Sequence, residues 1–108
     1  MLTTVVIREA ILAGRWAMSR HARENSGRRQ LEDRTVVLAL TRGELLEAYP
    51  EDPRGPSALI LGYTEESRSL HAVCAFDPAG TLIIITVYEP TLPGWTDERT
   101  RARDEREV

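Results

Sequence analysis

Two histidines, one loop arginine and a strand tyrosine are the side chains in this sequence best suited to proton and phosphate chemistry. His21 lies in Ser19-Arg20-His21-Ala22-Arg23-Glu24, an imidazole flanked by arginines. Neighbouring cations favour its neutral form, which suits a general base. His71 falls in an alternating apolar segment, with Thr86 and Tyr88 expected nearby, and an imidazole there can donate or accept a proton near neutral pH. Arg54 is carried by Pro50–Pro56, a stretch with three prolines. A guanidinium on so stiff a loop can clamp a phosphate. Arg20, Arg23, Arg28 and Arg29 add a basic patch for a phosphate backbone, and Tyr49, Tyr63 and Tyr88 offer rings on which bases can stack. Each residue also has an ordinary role open to it. His71 reads equally as a half-buried histidine bonded to Thr86, His21 as a helix-edge histidine, Arg54 as loop solvation, and the tyrosines as core-edge residues.

Other chemistries lack their residues. Two distant histidines and the single Cys74 make no zinc-ligand spacing, and no acidic cluster resembles a magnesium site. There is no phosphate-binding glycine loop and no nucleophile elbow. The expectation is metal-free acid–base catalysis with no cofactor.

The elements that must position these groups follow from periodicity. Thr3 or Thr4 can cap a first helix whose apolar stripe is Val6, Ile7, Ala10, Ile11 and Ala13, with Gly14 as its stop, unless the helix resumes through Trp16 to Arg23. Asn25-Ser26-Gly27 reads as a turn. A second helix is expected from Leu31 to Thr41, ended by Gly43 in the left-handed conformation. The period then shortens to two, giving strands over Glu44–Tyr49, Ser57–Thr64, Ser69–Phe76 and Thr81–Glu89. Glu65-Glu66-Ser67-Arg68 and Asp77-Pro78-Ala79-Gly80 join the last three as hairpins. The fold class is α+β, with two N-terminal helices packed on an antiparallel meander of about four strands. Residues 1–95 form this single domain. Residues 96–108 are a charged C-terminal tail, frayed or ordered by a partner, because Asp97–Val108 holds nine charges and only Ala102 and Val108 as apolar residues.

If both hairpin loops hold four residues, His71 lies opposite Gly62 and Thr86. One face then carries His71, Thr86, Tyr88 and Gly62 at one end, a pocket where the glycine leaves room beside the imidazole. The other face, with Leu59, Leu61, Tyr63, Leu70, Ala72, Cys74, Ile83, Ile85 and Val87, is the better one to pack on the helices. A slip of one residue would undo both assignments.

The net charge of −3 hides an asymmetry. From Arg15 to Arg34 six arginines face three acids, a balance of +3, whereas Glu44 to Glu66 holds six acids and only Arg54, a balance of −5. The first segment suits phosphates and the second a basic partner; a solvated, salt-bridged surface is the ordinary alternative for both. Arg8 and Glu9 interrupt the first apolar stretch, which argues against a signal peptide, and no apolar run is long enough to span a membrane. With one unpaired cysteine in an apolar run, the expectation is a cytoplasmic protein.

The succession Ser19-Arg20-His21-Ala22-Arg23-Glu24, Gly43-Glu44, Tyr49-Pro50-Glu51-Asp52-Pro53-Arg54-Gly55-Pro56-Ser57, Leu61-Gly62-Tyr63, Leu70-His71 and Ile84-Ile85-Thr86-Val87-Tyr88-Glu89-Pro90 resembles the domain of unknown function 4258 family over Trp16–Trp95. That family is similar to the RelE/ParE and BrnT groups of small bacterial toxins. The resemblance implies a RelE-like helix-helix-sheet fold, action on RNA, a cognate antitoxin, and His21, Arg54, His71 and Tyr88 as recurrent polar positions. The chain departs from the pattern at Asn25, where relatives usually carry arginine, and at Gln30, where they usually carry glycine; Arg28 or Arg29 can stand in for the former. The residues and the resemblance are therefore compatible with three functions. They are a toxin-like metal-independent endoribonuclease, a non-catalytic module binding an antitoxin or other protein, and a family member kept for homodimerisation.

Overall fold

The computed structural model describes residues 2–102. Helix α1 spans Thr4–Leu12, with the Thr3 hydroxyl accepting the Val6 N–H as its cap. A short strand β1, Trp16–Met18, follows, then α2, Arg20–Arg28, and α3, Asp33–Thr41. Strands β2 (Glu44–Tyr49), β3 (Ser57–Tyr63), β4 (Ser69–Phe76) and β5 (Leu82–Tyr88) form the expected meander, and a small hairpin of β6 (Trp95–Asp97) and β7 (Thr100–Arg101) ends the described chain.

The class is α+β as expected, but it has three helices and a five-stranded sheet rather than two helices and four strands. The sheet order is β1-β5-β4-β3-β2, with β1 parallel to β5. Residues Trp16–Met18 do not extend α1. Arg15 accepts the Leu82 N–H and Ser19 donates its N–H to Ile84, so β5 captures the segment as an edge strand. Three residues are too few for alternation to show in a sequence. Asn25-Ser26-Gly27 is not a turn but the last part of α2. Ser19 caps that helix by accepting the Ala22 N–H, and Ser26 is buried with its hydroxyl on the Arg23 carbonyl.

The apolar core lies between the helices and one sheet face. Ile7, Ala10 and Ile11 of α1, Ala22 of α2 and Val36, Val37, Ala39 and Leu40 of α3 pack with Ala58, Ile60, Leu70, Ala72, Cys74, Leu82, Ile84 and Val87. The faces assigned from the sequence are therefore mixed. Leu70, Ala72, Cys74 and Val87 do face the helices, but β3 turns Ala58, Ile60 and Gly62 that way, not Leu59, Leu61 and Tyr63. Gly62 makes no space for an imidazole. A Cβ there would lie 2.5 Å from the Ala39 carbonyl oxygen, so this glycine lets α3 sit directly on β3. Gly43 is required for a similar reason, since its Cβ would meet Ile60 at 2.4 Å, and it is not left-handed.

The register moved because each hairpin loop is one residue longer than expected. Tyr63 pairs with Ser69 and Phe76 with Leu82, with Ser67 and Gly80 taking the left-handed turn positions. A bulge between Ile84 and Thr86 shifts β5 again. His71 consequently lies opposite Leu61 and Tyr88, not Gly62 and Thr86.

Candidate functional site

Two polar assemblies emerge, one on α2 and one on the outer sheet face. On α2, the helical period sets His21, Asn25 and Arg28 on one stripe. His21 and Arg28 are exposed. The Asn25 amide nitrogen lies 3.2 Å from His21 Nε2 and 3.4 Å from Thr86 Oγ1, so it bridges the helix to β5. An amide N–H can only donate, which leaves His21 Nε2 as the acceptor and its proton on Nδ1. Ser19 holds the start of the helix in place, its hydroxyl donating to the Ile85 carbonyl at 2.7 Å while it caps Ala22. Arg20 pairs with Glu24 and Arg23 with Asp33 on the flanks. Arg29 donates to the Asn25 carbonyl and pairs with Glu89, which Arg68 also grips at 2.6 Å. These are exposed or half-exposed pairs, open to exchange for a phosphate.

The second assembly surrounds His71, which is wholly buried. Its Nε2 lies 2.7 Å from the Glu98 carbonyl oxygen and its Nδ1 lies 3.1 Å from the Tyr88 hydroxyl. A carbonyl only accepts, so Nε2 carries the proton and Nδ1 accepts from Tyr88. The imidazole is neutral and fully bonded, and burial holds its pKa below the ordinary histidine value. Burial likewise raises the Tyr88 phenol. The rings of Tyr88 and Trp95 meet His71 edge-on, at centroid distances of 5.1 and 4.4 Å.

Trp95 closes the expected domain, and Glu98 belongs to the expected charged tail. Thr96–Ala102 instead continue the hairpin folded over the outer sheet face, while residues 103–108 lie outside the described residues. Arg101 grips Glu47 through two nitrogens, at 2.7 and 2.8 Å, and stacks over Trp95 at 4.7 Å. Arg99 grips Glu44 in the same forked manner. Glu47 also accepts from the Tyr49 hydroxyl, and the Arg101 hydrogen bond holds its carboxyl down to about 2. The acidic stretch does meet arginines, and they are the chain's own.

Of the residues singled out from the sequence, His71 and Tyr88 come together, and His21 joins the arginine patch. These two groups share no hydrogen bond. Arg54 is exposed on the β2–β3 loop, where Asp52 accepts its backbone N–H and its Nε. That loop belongs to the β2 edge of the sheet, whereas α2 packs on β5, and three strand spacings of about 4.8 Å separate the two strands. Trp95, Arg99, Arg101 and their partners Glu44 and Glu47 were not singled out. The signal available was a lone tryptophan in a charged segment that complements the acidic middle. Among the described residues no group of three or more His, Cys, Asp or Glu is placed to hold a metal ion, and no helix is long and apolar enough to cross a membrane.

The family model for Domain of unknown function (DUF4258) matches residues 18–89, two thirds of the chain. The chain belongs to that family. No curated protein and no solved structure matches it. The DUF4258 match takes in both histidines, Arg54 and Tyr88 but ends at Glu89, so the β6–β7 hairpin that seals His71 lies beyond it.

Proposed function

We propose that this DUF4258 protein is a toxin-like, metal-independent endoribonuclease with a RelE-like fold akin to the RelE/ParE and BrnT toxins, acting in the cytoplasm and held by a cognate antitoxin. The observation that carries the reading is the exposed His21 imidazole, its Nε2 lone pair turned to a donor, set in a row of arginines on a helix anchored to β5. An RNA 2′-hydroxyl displacing Asn25 from that nitrogen would lose its proton to it. The oxygen then attacks the adjacent phosphorus, the 5′-oxygen leaves with a proton from water, and a 2′,3′-cyclic phosphate remains. Arg20, Arg23, Arg28 and Arg29 would bind the backbone and offset the charge gathering on the phosphorane. In this reading Arg54 and the His71–Tyr88 pair stand apart from the cleaving group.

The test is incubation of purified protein with RNA in EDTA. We expect cyclic-phosphate ends, and a loss of roughly 10²–10⁴-fold in rate for His21→Ala, the usual worth of a positioned base. Absence of cleavage, or an unchanged rate in the variant, overturns the proposal.

A second reading, a protein-binding module, is favoured by one observation: Glu44 and Glu47 already receive two arginines from a β-hairpin. A basic strand of an antitoxin, or of a second copy in a homodimer, could use the same acids. Co-purification with such a partner, without RNA cleavage, would decide for it.

A further inference from the structure

The β6–β7 hairpin does not belong to the main sheet. Its strands of three and two residues pair only with each other, through Trp95↔Arg101 and Asp97↔Thr100. A two-stranded ribbon of this size is marginal without outside support. That support comes from one buried side chain and a set of polar contacts: the buried Trp95 ring against the imidazole, the Glu98 carbonyl on His71, the two arginine–glutamate forks, and long hydrogen bonds from Arg99 to Tyr63 and from Arg101 to Tyr49. Side chains in the forks are between 29% and 58% exposed, so salt weakens both. Beneath the hairpin, His71 is 0% exposed, with Leu61 beside it in register and also buried. The linker leading in, from Pro90 to Gly94, exposes Leu92 at 70%. The family match stops just before that linker.

We propose that residues 95–102 are a strap that opens as a unit while the five-stranded domain stays folded, and that its opening controls access to the His71–Tyr88 pair. Closed, the strap supplies the acceptor for His71 Nε2 and keeps water from the ring. Open, it leaves a neutral imidazole, a phenol and an acidic rim at Glu44 and Glu47 facing solvent. A segment held by one buried ring and by half-exposed ion pairs has a local opening free energy below that of the global fold. This inference goes beyond the ribonuclease reading and stands or falls without it.

The chain carries its own reporters. Diethyl pyrocarbonate acylates accessible neutral imidazole, and the only two histidines are exposed His21 and buried His71. Cys74, wholly buried against the helices on the opposite face, reports global unfolding to a thiol reagent. Raising NaCl from about 0.1 to about 1 M shortens the screening length from about 10 to 3 Å, and should speed His71 acylation relative to His21 by at least about five-fold while Cys74 stays protected. The double variant Arg99→Ala/Arg101→Ala should do the same at low salt, and Glu47→Gln serves if the double variant does not fold. His71 remaining unreactive in every condition, or His71 and Cys74 becoming reactive together, would overturn the strap.

Discussion

Gln30 has φ 57°, a left-handed conformation at the end of α2 where its N–H bonds the Gly27 carbonyl and the next N–H bonds that of Ser26. This is the position where the family resemblance leads one to expect glycine, and the geometry supplies the reason, since a side chain there crowds the following carbonyl. Gln30→Gly should therefore raise stability by about 1 kcal/mol, read as a higher denaturant midpoint at unchanged slope; a lower midpoint would contradict it. His71 shows a different constraint at the same scale. Burial under the hairpin disfavours the charged ring more than the Glu98 carbonyl and the Glu47 carboxylate favour it. An NMR titration should place its midpoint below the ordinary value of about 6.5, and a midpoint above that value would contradict the burial.

At the scale of elements, the contact between α3 and β3 depends on Gly62, and the attachment of α2 depends on Ser19. Gly62→Ala would put a methyl against the Ala39 backbone, which has no flexible end to yield. We expect a loss of roughly 1–3 kcal/mol in chemical denaturation, the usual cost of overpacking; a neutral result would mean that α3 can lift from the sheet. β1 and the β6–β7 hairpin show what local pattern could not reveal. Trp16–Met18 is a strand only because β5 offers an unpaired edge, and Trp95–Arg101 is ordered only because Glu44, Glu47 and His71 receive it. The four longer strands were legible because their alternation persists over six to eight residues. Their register was not, since one added loop residue and one bulge leave composition unchanged while altering every pairing.

At the scale of the whole molecule, part of the charge asymmetry is satisfied internally, the acidic middle holding the arginines of the C-terminal hairpin. Acid should loosen the fold in two successive windows. His71 has a depressed pKa when folded, so its contribution to stability is complete above about 6.5 and declines as the pH falls below that value. Glu47, held down to about 2 by Arg101, contributes fully above the ordinary 4.5 and loses that contribution as the pH falls towards 2. Denaturation midpoints should drop as the pH falls below about 6.5, and again as it falls from 4.5 towards 2. A midpoint that rises on acidification would contradict both assignments.

The amino-acid order by itself determined the α+β class, the four-strand meander, a threonine cap for α1, and the family, because each is written in local period, in capping chemistry or in a run of motifs. Only the tertiary structure decided that Gly62 serves a helix rather than a pocket, that His71 lies sealed beside Tyr88 with His21 in a separate assembly, and that the acids near Glu44 meet arginines more than fifty residues away. Such pairings depend on loop lengths and on which edge or face a segment finds free, and no window along the chain contains both partners.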